Sequence, residues 1–413
     1  MNSFSYLFLF FLALSSGIQF WLAKRQASYV LANRHAVPSA FEGKVALAAH
    51  QKAADYTLAK GRLGDIEEAV GIIILLIMTL GGGINWAFNF WTAQIESSLW
   101  AGVLAIASIS LVMSLLELPS SIYQTFVIEE QFGFNKSSVE QFAKDHIMQL
   151  ALGAAIGLPI LALIIWVMDN LNNWWLWAWA ILMAFSLLMS WLFPTVIAPL
   201  FNKFTPMEDG ALKTRIAGLL ERCGFNSQGI FIMDGSKRSG HGNAYFTGLG
   251  NNKRIVFFDN LINSLDDEEL EAVLAHELGH FKRKHVIKML ISSAVLSLCG
   301  FWVLGYLTEQ DWFFNGLGVE HGSHAAALLL FMLVSSVFTF FIQPISAYFQ
   351  RRFEFEADDF AAQNAQASKL ISGLVKLYEE NASTLTPDPL YSAFHYSHPP
   401  AAIRIAHLTA HSA

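Results

Sequence analysis

Charge is what this chain has least of. Only 14% of its 413 residues are Asp, Glu, Lys or Arg, where a soluble globular chain carries about a quarter. With 54% hydrophobic residues, 34 Phe, 12 Trp and a mean hydropathy of +0.42, that shortfall excludes an ordinary soluble protein and points to an integral membrane one. Cysteine is nearly absent as well. Cys223 and Cys299 fall in a loop region and in an apolar run, so no disulfide framework is expected. There is no internal repeat or low-complexity segment, and no nucleic-acid partner is expected.

Lys and Arg are missing altogether from four stretches of the chain. All 26 fall in 24–67, 121–146, 201–288 and 350–413. Seven apolar segments, at 3–23, 68–90, 98–120, 147–168, 173–200, 287–308 and 324–349, are each long enough to cross a hydrocarbon core of about 30 Å as a helix. The positive-inside rule then puts the basic stretches in the cytoplasm, with the N-terminus outside and the C-terminus inside. The first segment has no basic n-region and is followed directly by Lys24 and Arg25, so it reads as an uncleaved anchor rather than a signal peptide.

The organisation that follows has four parts. Residues 1–200 carry spans one to five with their cytoplasmic loops, 201–286 a soluble lobe, 287–350 spans six and seven, and 351–413 a helical cytoplasmic segment. Within the lobe the pattern predicts a helix over 210–223, a strand over 229–233, a polar turn region over 234–243, two short strands over 244–246 and 254–258, and a final helix. A lobe this small buries little core alone. It is expected to pack on the membrane helices and on 351–413.

That final helix holds the most informative string in the chain, His276-Glu277-Leu278-Gly279-His280. Residues at i and i+4 share one face of a helix, so both imidazoles can grip one zinc ion while Glu277 accepts a proton from a water. The string is degenerate and needs context. Ser264 offers a cap with an acid three residues on, Asp267, Glu268, Glu269 and Glu271 crowd the first turn, and Leu270, Val273, Leu274, Leu278 and Phe281 recur at helical spacing.

Zinc held by two His usually takes a third protein ligand. A ligand to the same ion must lie on the same side of the membrane, and spans six and seven return the chain to that side near residue 350. The filter removes His321 and His324, in an outside loop. It leaves Arg351-Arg352-Phe353-Glu354-Phe355-Glu356-Ala357-Asp358-Asp359. Glu354 and Asp358 share a face, so one can ligate while the other supports it, and Glu356 points elsewhere. A salt bridge between Arg351 and Glu354 is the plainer alternative.

Taken with Arg351 to Asp358 and seven spans, the His276 to His280 motif resembles the type I CAAX prenyl proteases, integral-membrane zinc endopeptidases. Asp234-Gly235-Ser236-Lys237-Arg238-Ser239-Gly240, Asn243-Ala244-Tyr245-Phe246, Lys253-Arg254-Ile255-Val256, the 122–130 segment and His395-Tyr396-Ser397-His398-Pro399-Pro400 with Arg404 resemble that family too, so the likeness covers essentially the whole chain. It implies a mostly α, polytopic fold with a small α+β lobe of gluzincin type, and an enclosed chamber is what the family's architecture would add. It also implies one zinc on His276, His280 and Glu354, Glu277 as general base, and His398 and Arg404 as oxyanion donors. Asp358 would orient a zinc-bound His or lend a proton, and Asn243, Ala244, Tyr245 and Phe246 would take substrate as an edge strand.

The partners so implied are a peptide or protein substrate, C-terminal and lipidated, and membrane lipids, with the chain a monomer. Polar faces would be needed for a chamber, and Asn85, Gln94, Glu117 and Gln149 are candidates. A short outside loop between spans six and seven and a C-terminal His411-Ser412-Ala413 without a dilysine signal favour a bacterial inner membrane. In that setting a broader quality-control protease becomes the second reading. A metal-binding membrane protein without turnover is a third, opposed by the presence of Glu277, His398 and Arg404. Cutting within the membrane is opposed by Lys282-Arg283-Lys284-His285 directly after the motif.

Overall fold

The apolar segments fold as long helices because each presents Leu, Ile, Phe and Trp on every side, a pattern that water does not tolerate and lipid does. In the computed structural model, which describes all residues except 226, 248–252, 321 and 411–413, the first seven helices are α1 (Ser3–Asn33), α2 (Leu47–Met78), α3 (Gly83–Gln94), α4 (Ser98–Tyr123), α5 (Val139–Asn170), α6 (Trp174–Leu192) and the short α7 (Ala198–Phe201). His321 and 411–413 therefore lie outside the described residues. The chain is an integral, multi-pass membrane protein. Its spans pack around buried Phe8, Ile106, Ile165 and Leu330 while large side chains such as Trp86, Leu115, Trp177 and Leu188 stay exposed.

The second span departs from the continuous 68–90 helix expected. It begins at Leu47, runs on to Met78 and then bends by 50° into α3. Gly82 sits at φ 78, a left-handed conformation that residues with a Cβ rarely adopt. A Cβ on Gly81 would meet the Ile77 carbonyl oxygen at 2.6 Å. The Gly81-Gly82-Gly83 run thus breaks the helix.

The lobe between spans five and six begins with a strand that was not expected, β1 (Phe204–Pro206), followed by α8 (Ala211–Arg222), β2 (Gly229–Met233), β3 (Ala244–Thr247), β4 (Arg254–Phe258), α9 (Asp259–Ser264) and α10 (Asp267–Lys282). The sheet order is β1-β2-β4-β3. β2 and β4 run parallel, and β3 returns antiparallel on β4 with Tyr245 opposite Val256. Among the described residues one edge of β3 is therefore unpaired. Ile216, Leu219, Ile255, Phe257, Leu270 and Leu274 form the core between sheet and helices.

α10 starts two residues later than the expected Ser264 cap. Asp266 accepts from Glu268 N at 2.9 Å and Glu269 N at 2.8 Å, and its own N–H donates to Glu269 Oε2 at 2.9 Å, a complete capping box. Ser264 instead closes α9, its hydroxyl donating to Leu261 O at 3.0 Å.

The remaining helices are α11 (His285–Leu307), α12 (Asp311–Gly316), α13 (His324–Thr339), α14 (Gln343–Asn364), α15 (Ala367–Glu380), α16 (Pro389–His395) and α17 (Ala401–Ala410). α10 lies directly against α14. A Cβ on Gly279 would stand 2.9 Å from Ala357 Cα, so Gly279 in the motif is what lets the two backbones approach. Arg25 on α1 pairs with Asp388 at 2.9 Å, and Gln26 Oε1 accepts from Asp388 N at 2.7 Å. These contacts tie the C-terminal segment to the first span.

Candidate active site

The close contact at Gly279 sets Glu354 and Asp358, one turn apart on α14, beneath His276 and His280 on α10. Nε2 of the two histidines stand 3.2 Å apart, His280 Nε2 lies 3.2 Å from Glu354 Oε1, and His276 Nε2 lies 3.4 Å from Glu354 Oε2. All three residues offer a ligand atom within 4.8 Å of the others. Ligands at 2.0–2.1 Å from a tetrahedral zinc stand roughly 3.3 Å apart, so these spacings fit such an ion. Glu354 Oε2 is buried without a hydrogen-bond partner, which in a native site calls for an ion or water.

The Nδ1 atoms explain why both Nε2 lone pairs face inward. His276 Nδ1 lies 2.8 Å from Asp358 Oδ1 and His280 Nδ1 lies 3.1 Å from His285 Nδ1. Each ring can place its proton on Nδ1 and leave Nε2 free. Asp358, 0% exposed, is thus placed where it can orient His276. Burial and the Arg404 charge press the His276 imidazole down, yet hydrogen bonds to Asp358 and Glu354 outweigh them and raise it to about 9.

Arg351 does not pair with Glu354. Its Nη1 donates to Tyr396 O at 2.7 Å and Ser392 O at 3.3 Å, pinning the segment that carries His398. Pro399 and Pro400 end that turn and α17 begins at Ala401, which puts Arg404 in its first turn. Arg404 is almost fully buried. Its Nε and Nη2 donate to Asp358 at 2.9 and 2.6 Å, leaving Nη1 3.6 Å from Glu354 Oε2. Burial lowers the affinity of the guanidinium for its proton, but Asp358 and Glu354 more than offset this and hold it charged.

His398 Nε2 is 3.5 Å from Glu354 Oε1. Its side chain keeps 63% of its surface open to the cavity, although the surrounding walls desolvate it and push its imidazole below the usual value. Glu277, His398 and Arg404 line one cavity of about 380 Å³ with His276 and Glu354. Asn243 and Ala244 line it as well. Tyr245 and Phe246 turn away from it, Tyr245 toward Phe258 with ring centroids 6.3 Å apart and Phe246 toward Phe225 at 5.2 Å.

A second cavity of about 980 Å³ shares Tyr378, Asn381, Ser383 and His398 with the first. A third, of about 550 Å³, shares Gln19, Gly64, Glu68 and His395 with the second and reaches between the spans. Their polar lining includes Gln19, Gln26, Asp65, Glu67, Glu68 and His395. The expected candidates Asn85, Gln94, Glu117 and Gln149 line none of the three cavities. Asn85 instead accepts from Glu320 N at 3.2 Å.

Three residues beside the site carried no sequence signal. Asn381 holds the strand-forming loop, its Oδ1 accepting from Gly242 N at 3.2 Å. His285 and Glu356 face each other at 3.1 Å, so Glu356, on the far side of α14 from Glu354, points at a histidine.

Residues 26–203 match a family model described as the CAAX prenyl protease N-terminal region of five membrane helices, and 206–412 match that of peptidase family M48. The chain is 34% identical to the CAAX prenyl protease 1 homolog of Oryza sativa subsp. japonica over 388 residues, covering 90% of each. It is 38% identical to CAAX prenyl protease 1 of Saccharomyces cerevisiae over 338 residues, 78% of this chain and 74% of the other. The crystal structure of S. mikatae Ste24p superposes with a TM-score of 0.92 at 31% identity, covering 99% of both chains.

Proposed function

This chain belongs to peptidase family M48, and on that premise we propose that it is a zinc endopeptidase cutting lipidated, membrane-associated proteins near their C-termini. It is a multi-pass membrane metalloprotease whose substrates are peptides or proteins. His276 Nε2, His280 Nε2 and the Glu354 carboxylate would hold the zinc, with Asp358 fixing His276. Zinc bound there would polarise the scissile carbonyl and lower the pKa of a water.

The chain's own residues supply the rest. Glu277, beside the first ligand and facing the cavity, takes the proton of the attacking water and passes it to the leaving amine. His398, held neutral by its surroundings, and Nη1 of Arg404 donate to the developing oxyanion. The unpaired edge of β3, with Asn243 and Ala244 at the cavity, binds the extended peptide through its main chain. What carries this reading is the convergence of three ligand atoms within 4.8 Å in the cavity that Asn243, Ala244 and Glu277 also line.

Lipid recognition is supported by the third cavity, where Leu12, Ile72, Leu75, Met78, Leu333 and Val337 offer an apolar wall between spans. The distribution of Lys and Arg supports a cytoplasmic site with the N-terminus outside. The short 309–323 loop supports a bacterial inner membrane, and the presence of all the named site residues in one chain is compatible with a monomer. The four parts 1–200, 201–286, 287–350 and 351–413 then serve as anchor, catalytic lobe, paired spans and the segment that completes the site.

Mass spectrometry of products tests the substrate class. Detergent-purified protein with confirmed zinc should cleave a prenylated CAAX peptide and leave its unprenylated control largely intact. Cleavage of neither peptide, or equal cleavage of both, contradicts lipid-directed specificity, and the second result favours a broad quality-control role.

A further inference from the structure

His285 opens α11 only five residues after His280. Between them Lys284 adopts φ 58, ψ 32, a left-handed backbone uncommon for a residue with a Cβ. That turn folds the chain so that His285 Nδ1 reaches His280 Nδ1 at 3.1 Å and His285 Nε2 reaches Glu356 Oε2 at 3.1 Å. His285 is 1% exposed. Its ring stacks on Phe353 with centroids 4.3 Å apart and planes 12° apart, which leaves it little room to rotate. Lys288 Nζ lies 3.5 Å from that same Oε2, and Arg352 Nε lies 3.6 Å from Oε1 on the other side of the Glu356 carboxylate.

With neutral rings, one proton arrangement satisfies the chain of contacts. His280 turns Nε2 toward His276 and Glu354, so its proton sits on Nδ1 and is donated to His285 Nδ1. His285 then carries its own proton on Nε2 and donates it to Glu356.

We propose that His285 and Glu356 are positioning residues for the metal ligand His280, fixing its tautomer and ring plane through a two-step hydrogen-bond chain as Asp358 does directly for His276. The proposal rests on the zinc reading given above. A metal-binding histidine commonly donates its second nitrogen to a carboxylate or carbonyl, and loss of such a partner weakens metal affinity about 10–100-fold. Here a second imidazole extends the reach. Because His285 belongs to α11 and Glu356 to α14, ligand orientation is tied to the packing of two helices that enter the membrane.

Zinc affinity of the full-length protein in detergent, measured by competition with a chromophoric chelator, tests the chain of contacts. His285→Leu and Glu356→Ala should each bind zinc about 10–100-fold more weakly. His285→Gln, whose amide carries an acceptor and a donor at a comparable separation, should stay within a few-fold of the unsubstituted chain. The melting temperature of Glu356→Ala with zinc chelated should match that of the unsubstituted chain, which separates a metal effect from general unfolding. Unchanged affinity in both His285→Leu and Glu356→Ala, or equal loss in the Leu and Gln variants, overturns the proposal. An unsubstituted chain that binds no zinc overturns the metal reading, and the positioning role falls with it.

Discussion

Arg404 and Asp358 form a two-pronged ion pair inside the protein, Nη2 to Oδ1 at 2.6 Å and Nε to Oδ2 at 2.9 Å. Neither side chain reaches bulk water, being 6% and 0% exposed. Since Asp358 Oδ1 also lies 2.8 Å from His276 Nδ1, α17, α14 and α10 meet through a single carboxylate. Removing Arg404 leaves that carboxylate without its main counter-charge. Arg404→Ala should cost about 3–5 kcal/mol, read as a lowered melting temperature, and should reduce peptide cleavage. Arg404→Lys keeps the charge but loses the fork, and should recover only part of the stability.

A second buried carboxylate sets the acid limit of the lobe. Burial raises the Glu269 carboxyl, but Lys376 at 2.6 Å, Ser372 and the Asp266 backbone N–H outweigh it and hold the group below its ordinary value. A group with a depressed folded pKa adds stability above its unfolded value, about 4.3, and loses it as pH falls through the lower folded value. Glu269→Gln should therefore be less stable than the unsubstituted chain at pH 7, by about 1–2 kcal/mol. The gap should close as pH falls below about 4. Thermal unfolding of the two proteins across that range checks it, and a gap that is constant with pH would disprove it.

The edge strand makes a claim about the substrate backbone. If the free edge of β3 takes the peptide by main-chain hydrogen bonds, N-methylation of one substrate amide near the scissile bond should lower kcat/KM by up to about tenfold for each bond lost. Methylation of an amide that faces away from β3 should leave it unchanged. A scan of singly methylated peptides should therefore show an every-other-residue pattern.

The two pairs that meet at the site were legible because they obey local spacing: His276 and His280 are one turn apart, as are Glu354 and Asp358. Spacing gave no sign of His398, Arg404 or the 243–246 strand, which entered only through the family resemblance. The capping acids and apolar stripe of α10 are equally local, although Ser264 and Asp266 are both sound caps and only the turn of α9 decides between them. What stayed hidden depends on contacts between distant segments. β1 is three residues long and exists only because β2 offers it an edge. The commitment of Arg404 to Asp358 and the approach of His285 to Glu356 span 46 and 71 positions. The bend after Met78 did have a local signal in Gly81-Gly82-Gly83, which a continuous apolar run concealed.

His398 tests the oxyanion assignment. Its imidazole opens to the cavity and makes no ion pair closer than 3.5 Å to Glu354, so His398→Ala should fold normally. Removal of one oxyanion donor lowers kcat by about 10²–10³-fold, with KM little changed. A rise in KM at constant kcat would assign His398 to substrate binding instead.

Glu277→Gln is the most direct test of the site as a whole, with bound zinc and peptide products measured on the same preparation. The substitution keeps the shape of the residue and leaves His276, His280 and Glu354 in place. It should retain one zinc per chain while cleavage falls by about 10²–10⁴-fold. Full zinc occupancy with unchanged turnover would contradict the assignment of Glu277 as the base.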